Sequence, residues 1–498
     1  MSKLPQEYVL VIDQGTSGTK ASIVSSSAEI LITHTEPLET RYTPEGYAEQ
    51  DPEQLYESTI EAVGSVLNQC RQSDLKVTDI RSIGISNQRE SFLLWDEDGE
   101  PLTNVILWHC KRSIQICERF KEHEPKISEI TGLRVDPYFS GTKLRWVLEH
   151  EEKVREVYER GEAFFGTVDT WLIYLLTGKK SYTTDQTNAS RTLLFDIRHL
   201  RWSDELLNLF KVELIQLPEV LSSDSIFGTT DLNRLLPASV PITGVLGDSQ
   251  AASVGEGLFE AGDTKVTMGT GSSLMVNTVD HVKSSSGLVS TICWSTKDKT
   301  SYGLEGIIVS CGSTLTWLIE EMKFVSNVRE IDSIAESTCD SSPVSFIPAL
   351  GGLGAPYWNR KATASFQGLR FGVTKEKMVR AVVESYPFIL HDIIMSVKHD
   401  LQNADICLKA DGGMTNSGIT MQLISDILQT EVFVDRRKES STIGAALFSF
   451  LGNGLLTLSQ LKDMAKNSKY TVYRPKQNEK LIASYDLWKK RMQSRRSE

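Results

Sequence analysis

The chain reads as an α/β protein built from two sheet-based halves with a cleft between them. Three observations carry that reading. The run YVLVID (8–13), the turn QGTSGTK and the run ASIVSS (21–26) form a strand, a Gly/Thr/Ser loop and a strand, which is a hairpin pattern. The pattern returns in DTKVTMGTGSSLMVNT (263–278), so that IDQGTSGTKASIV and TMGTGSSLMV form a faint internal echo. Finally, 498 residues exceed one ordinary hydrophobic core, so two large domains or a few smaller ones are expected.

The remaining elements follow in order. YESTIEAVGSVLNQC (56–70) has the apolar spacing of a helix. DIRSIGISNQ (79–88) reads as a strand, and SFLLWDEDGEPL (91–102) as strand, turn and strand about Asp98 and Gly99. LRWVLEHEEKVREVYER (144–160) reads as one helix, and DTWLIYLLTG (169–178) is apolar with a glycine stop. ICLKADGGMTNSG (406–418) runs from a strand into a Gly-rich turn, with a helix at 419–430. TIGAALFSFLG (442–452) is apolar, rich in small residues and ends in glycine. The boundary is placed near 255, giving domains 1–255 and 256–498. The small residues of GDSQAASVGEGLFEAG mark 244–262 as the expected hinge.

Composition narrows the partners. Apolar residues make up 40% of the chain, enough for real cores. A net charge of −12 disfavours nucleic acid while leaving room for a local basic pocket. Seven scattered cysteines without a CxxC pair point to reduced, mostly buried thiols rather than zinc or redox chemistry. The N-terminal apolar run is short for a signal peptide, and no stretch approaches a membrane span. A cytoplasmic protein is the expectation. The basic C-terminal LWKKRMQSRRSE reads as a solvated helix end or tail.

Three Gly/Thr/Ser loops, at 13–20, 268–273 and 411–418, follow three strands. Glycine lets backbone N–H groups approach a phosphate, and hydroxyls add donors. Each loop alone is readily a hairpin turn; three together, with an acid before the first and third, favour phosphate. Lys20 offers a cation, and Asp13 is a candidate to hold Mg2+ through water. No loop has the GxxxxGK(S/T) form, and the first lacks GxGxxG and opens a hairpin, which excludes P-loop and dinucleotide-binding readings. Asp248, in GVLGDSQAA (244–252), stands at a strand–helix junction. It is either a helix N-cap or a base presented to a substrate, or both.

The DxGTxxxK hairpin, its echo and the DGG turn resemble the sugar kinase, Hsp70 and actin superfamily. The resemblance implies two actin-like, ribonuclease H-like domains, each on a mixed five-stranded sheet, with ATP between them. YFSGTKLRWVLEH (138–150) resembles the first signature of the FGGY carbohydrate kinase family. ASFQGLRFGVTKEKMVRAVVE (364–384) resembles the second, departing at Lys377. NQRES (87–91), WHCKRS (108–113), YGLEG (302–306) and GLGAPYWN (352–359) are similar to the glycerol kinases within that family.

The resemblance implies a polyol pocket in which Arg89 and Glu90 bond hydroxyls, Trp108 forms an apolar wall and Tyr138 adds a contact. Asp248 corresponds to the base, with Ser249 and Gln250 beside it. For ATP it implies Thr16, Ser17, Thr270, Gly312 and Gly413, and Thr316 and Ser417 where Gln and Asn are usual. On sequence alone, Arg89–Glu90 also fits a surface pair, and Trp108 and Tyr138 fit core packing. GDSQAA replaces the usual GDQQAA and GTGSS the usual GTGCF, so Ser249 and Ser273 shorten the substrate side. That leaves glycerol, with other side chains compensating, or a longer polyol or ketose. A non-catalytic sugar or nucleotide sensor is the alternative of another class, and Asp248 speaks for the kinase. Segment 228–244 lacks the Gly-rich run through which some bacterial members bind a sugar bisphosphate, so no such inhibition is expected. Homodimers or homotetramers are expected by family analogy.

Overall fold

Alternating apolar residues and tight Gly loops generate two open sheets of matching design. In the computed structural model, which describes residues 7–435, 439–466 and 469–494, the first sheet uses β1 (Tyr8–Gln14), β2 (Gly18–Ser25), β3 (Ile30–Pro37), β4 (Ile80–Asn87), β5 (Ile226–Thr230) and β6 (Val240–Gly247). Its order is β5-β6-β4-β1-β2-β3. The second uses β7 (Asp263–Met268), β8 (Ser272–Val279), β9 (Val289–Ser295), β10 (Thr300–Ile308), β11 (Cys407–Asp411), β12 (Val432–Asp435) and β13 (Tyr470–Tyr473), ordered β9-β10-β8-β7-β11-β12-β13.

The echo in the sequence is a repeat in topology. In each half the first strand pairs antiparallel with the strand after its Gly loop, which pairs antiparallel with a third. On its other side the first strand pairs parallel with a fourth, and that with a fifth. Each half therefore contains the implied mixed five-stranded sheet, extended by β5 in the first half and by β9 and β13 in the second.

Helix α1 (Pro52–Arg71) begins four residues before the apolar run because Asp51 accepts from the Glu53 and Gln54 amides and Pro52 opens the first turn. The expected helix 144–160 is instead two, Ser140–His150 and Glu152–Glu159. Glu151 is extended between them (φ −110°, ψ 96°), its carboxylate turned toward Arg112 at 3.8 Å. After Phe92–Trp95 the chain turns at Gly99, but only an isolated Trp95–Pro101 bridge returns in place of the second strand. The C-terminal helix Glu479–Ser494 is not simply solvated: Trp488 and Met492 are buried, and Arg491 donates to the Pro343 and Gln367 carbonyls. Residues 495–498 of the basic tail lie outside the described residues. All seven cysteines are free, five of them buried.

The expected hinge residues serve packing. Asp248–Gly255 form helix α2, which lies against the helix Ser440–Gly452, named α5 after α3 (Lys375–Asp400) and α4 (Gly418–Leu428). A Cβ on Gly444 would stand 1.7 Å from the Ala251 carbonyl oxygen, and one on Gly255 2.1 Å from that of Ser440. The backbones touch, so only glycine fits. Helix α5 also covers the first sheet, where Ala445, Ala446 and Phe450 bury Val9, Val11 and Val24. A late segment of the chain thus completes the core of the first half. Among the described residues no helix is long and apolar enough to cross a membrane.

Gly444→Ala should overpack this contact and destabilise the protein by more than about 2 kcal/mol. Denaturant unfolding measures it, and unchanged stability would contradict the contact.

Candidate active site

The two sheets face a cavity of about 1430 Å3. From the first half Arg89, Trp108, Tyr138, Asp248 and Ser249 line it; from the second, Lys265, Thr267, Thr270, Ser273, Asp411 and Gly413. Residues scattered over more than 300 positions converge because strand ends and their following loops point to the same cleft.

Asp248 is delivered by β6, whose parallel pairing with β4 sets Gly247 opposite Asn87. The Gly247 amide donates to Thr187 Oγ1 (2.9 Å), which in turn donates to Asp185 (2.9 Å). Asp248 is the first residue of α2 and does not cap it; Gly247 holds the cap position, and the carboxylate accepts from the Ser249 amide at 2.6 Å. It opens into the cleft, 46% exposed, with Arg89 Nε 3.3 Å away. Enclosure by the cleft walls raises its pKa above the ordinary aspartate value, and Arg89 pulls in the opposite direction.

Arg89 is the node of a buried ion network. Its Nη2 donates to Glu305 at 2.9 Å, and Arg191 bridges Glu90 and Glu305 at 2.6 Å each. Ser273 Oγ donates to Glu305 Oε1, the oxygen that Arg89 also uses, at 2.7 Å. Burial would raise the Glu305 carboxyl, but Arg191 and Arg89 outweigh it and hold it at about 2. Burial leaves the Glu90 carboxyl raised and pushes the Tyr138 phenol up. Arg89 Nη1 is buried and has no hydrogen-bond partner among the described residues, an unusual state for a buried donor.

Trp108 and Tyr138 meet edge to face at 5.4 Å, and Trp108 Nε1 donates to Thr16 Oγ1 at 3.1 Å. The apolar wall and the first loop are therefore tied together. The second loop is held from behind: the Cys311 and Gly312 amides donate to the carbonyls of Thr270 and Gly269. A Cβ on Gly312 would sit 2.6 Å from the Gly269 oxygen, so Gly312 supports the loop. Gly412 takes φ 91°, open to glycine, against Met268.

Several expected contacts point elsewhere. Glu90 is 1% exposed, with one oxygen committed to Arg191. Gln250 is fully buried, donating to Thr291 and the Ile292 carbonyl. Ser417 caps α4 and donates to Asp332, and Thr316 is exposed and bonds back to the Gly312 carbonyl. None of these four side chains lines the cavity. Ser17, Asp13 and Lys20 belong to the first hairpin and do not line the cavity, though Lys20 pairs with the cavity-lining Glu439.

The oxygen chemistry fits a magnesium ion. Asp13 accepts from Ser441 and Thr442 through one oxygen (2.7 and 3.1 Å), and Asp411 has a buried oxygen with no partner among the described residues. No cluster of three or more metal-ligating side chains occurs among them. Magnesium is commonly held by one or two carboxylates together with phosphates and water.

Glu305, Arg191, Lys265 and Thr267 escaped sequence reasoning. Glu305 lies inside the quoted YGLEG stretch, and Lys265 interrupts a strand two residues before Thr267 on the same face. Arg191 carries no local signal.

Two like sheets closing over a carboxylate and Gly/Thr loops define a phosphotransferase with the actin-like ATPase fold. Residues 8–255 match the N-terminal domain and residues 264–452 the C-terminal domain of the FGGY family of carbohydrate kinases, and the chain belongs to that family. It is an ATP-dependent carbohydrate kinase. It is 41% identical over 488 residues to glycerol kinase 1 of Thermotoga maritima, covering 97% of this chain and 98% of that one. It is 38% identical over 455 residues to the glycerol kinase of Myxococcus xanthus, covering 90% and 91%. It superposes on the crystal structure of Plasmodium falciparum glycerol kinase with ADP at a TM-score of 0.90, with 32% identity over 98% of each chain. A gluconate kinase from Lactobacillus acidophilus, at 24% identity and a TM-score of 0.87, shares the fold.

Glu305→Gln should leave two buried guanidinium groups undercompensated and lower stability by about 3–5 kcal/mol in urea unfolding. Because the folded carboxyl sits at about 2, below its unfolded value, its contribution is present above about pH 4.3 and fades as pH falls toward 2. Equal acid sensitivity of wild type and E305Q would contradict the network.

Proposed function

We propose that the chain phosphorylates glycerol on a primary hydroxyl, giving glycerol 3-phosphate, with Asp248 as general base. The observation that carries this is the triangle of Arg89, Asp248 and the Trp108–Tyr138 wall. It offers a free buried donor, a carboxylate 3.3 Å from that guanidinium, and an apolar face. A short polyol presents a carbon backbone and hydroxyls that both give and take hydrogen bonds, which matches all three. The relatives' identity over nearly the whole chain supports the same substrate.

The two departing serines favour glycerol over a longer polyol. Ser273 is drawn to Glu305, and Ser249 Oγ accepts from Lys265 at 3.0 Å. Both are tied to buried charges, so other side chains compensate for the shortened groups.

In this reading Asp248 takes the hydroxyl proton while Arg89 and the aromatic wall hold the polyol. Thr16 and Thr270 and the backbone amides of the two loops face the phosphates. Gly312 acts on the nucleotide through the second loop, and Gly413 lies beside it. ATP supplies the phosphoryl group and magnesium, near Asp13 and Asp411, offsets its charge. Closure of the cleft keeps water from the reaction. The protein works in the cytoplasm, with no sugar bisphosphate control through segment 228–244.

A panel of glycerol, erythritol, threitol, ribitol, xylulose and dihydroxyacetone with ATP and magnesium tests the substrate. Glycerol should give the highest kcat/KM; a four- or five-carbon substrate exceeding it would overturn the proposal. Asp248→Asn should cut kcat by roughly 10²–10⁴ while ATP binding holds. Since the base must be ionised and its pKa is raised, wild-type kcat/KM should fall on the acid side at a pH above the ordinary aspartate value of about 3.9. A profile flat down to that value would remove Asp248 as the base.

A further inference from the structure

Lys265 lies on β7 with 1% of its surface exposed, yet it lines the cavity. Its Nζ donates to Ser249 Oγ at 3.0 Å and to Thr267 Oγ1 at 2.8 Å. An ammonium group has three donors and no lone pair. Both hydroxyls must therefore accept from it, and each keeps its own hydrogen for another partner. Among the described residues neither hydroxyl gives that hydrogen away. Ser249 and Thr267 both line the cavity. The result is a patch with hydrogens to give, two polarised O–H groups and the remaining ammonium N–H, backed by a buried positive charge.

Its position says what it faces. Ser249 follows the candidate base, and Thr267 stands two residues before Gly269 in the second Gly/Thr loop. The patch thus spans from the base to the phosphate loop. A polyol hydroxyl needs an acceptor as well as a donor, and Asp248 with Arg89 already offers both. A phosphoryl group presents only acceptor oxygens and carries negative charge. Burial lowers the Lys265 pKa; Asp411 and Asp248 act to keep it charged, and Arg89 acts against them.

We propose that Lys265, Ser249 and Thr267 form a cradle that bears the charge of the phosphoryl group in transit, with Lys265 as a catalytic cation. The bond from the γ-phosphorus to the leaving ADP oxygen breaks as the bond to the substrate oxygen forms. The hydroxyl proton goes to Asp248, and Lys265 stays protonated. The proposal rests on the kinase reading above but not on which polyol is used. It gives Ser249 a positive role, since a serine hydroxyl at this position completes the cradle.

The test compares wild type with Lys265→Met, Lys265→Arg, Ser249→Ala and Thr267→Val. Three quantities are read: kcat, the Kd of ATP, and the Kd of ADP with magnesium and aluminium fluoride, a mimic of the phosphoryl group in transit. Melting temperature reports folding. For K265M, kcat and affinity for the aluminium fluoride complex should both fall about 100-fold, as for loss of a charge-stabilising donor, with ATP affinity within about threefold. K265R should recover part of both. A K265M enzyme with kcat and aluminium fluoride affinity within about threefold of wild type overturns the proposal. If K265M fails to fold, S249A and T267V decide: each should lower kcat at least about fivefold with an unchanged melting temperature, and wild-type kcat in both overturns it. The aluminium fluoride arm needs no polyol. A wild type that ignores glycerol but loses aluminium fluoride affinity on K265M therefore refutes the substrate and supports the cradle.

Discussion

The forked guanidinium of Arg89 is the contact on which the site depends. One arm reaches Glu305 from the second half, the Nε edge reaches Asp248 on the first, and Nη1 is buried with no partner among the described residues. A buried cation needs its charge balanced and its donors used. Glu305 answers the charge and anchors one arm of the fork. The same carboxylate holds Arg191, which holds Glu90. Arg89, Asp248 and the contact between the halves are one electrostatic unit. The Arg89–Glu305 pair joins the two halves of the chain.

This unit explains why shortened pocket side chains do not leave a void in bonding. Ser273 enters the network through Glu305, and Ser249 enters a second one through Lys265. A single buried hydrogen bond contributes about 1 kcal/mol, and more when one partner is charged. Both serines have a charged partner. Each short side chain is thus held in place by a charged neighbour.

Much of the fold was legible because its signals are local. A strand, a Gly/Thr/Ser loop and a strand sit within 20 residues, and the two hairpins at 8–25 and 263–279 fold where read. Helix ends were less legible: Asp51 extends α1 backwards, and an extended Glu151 splits a continuous helical pattern. At the site, Arg89, Trp108, Tyr138, Asp248 and Thr270, all read from local motifs, line the cavity. What stayed hidden depends on distant partners. Arg89 meets Glu305 across 216 residues, and Arg191 meets Glu90 across 101. Gln250 and Ser417 show the converse: adjacency to a functional motif does not fix a side chain's direction, and each is claimed by its own helix's surroundings.

The glycines and serines of α2 and α5 carry the last link. These helices touch at Gly444 and Gly255, so neither can shift without the other. α2 begins with Asp248. α5 begins with hydroxyls that hold Asp13 through Ser441 and Thr442, and its Ser440 donates to Glu256 just past the end of α2. The candidate base and the candidate magnesium carboxylate are thus fixed to one backbone contact. Side-chain contacts yield by rotamer changes, but backbone against backbone does not. A reaction that must keep a hydroxyl, a phosphoryl group and a cation in line needs such a spacer. The small residues of this segment therefore do one definite thing: they let α2 and α5 meet backbone to backbone beside the cleft.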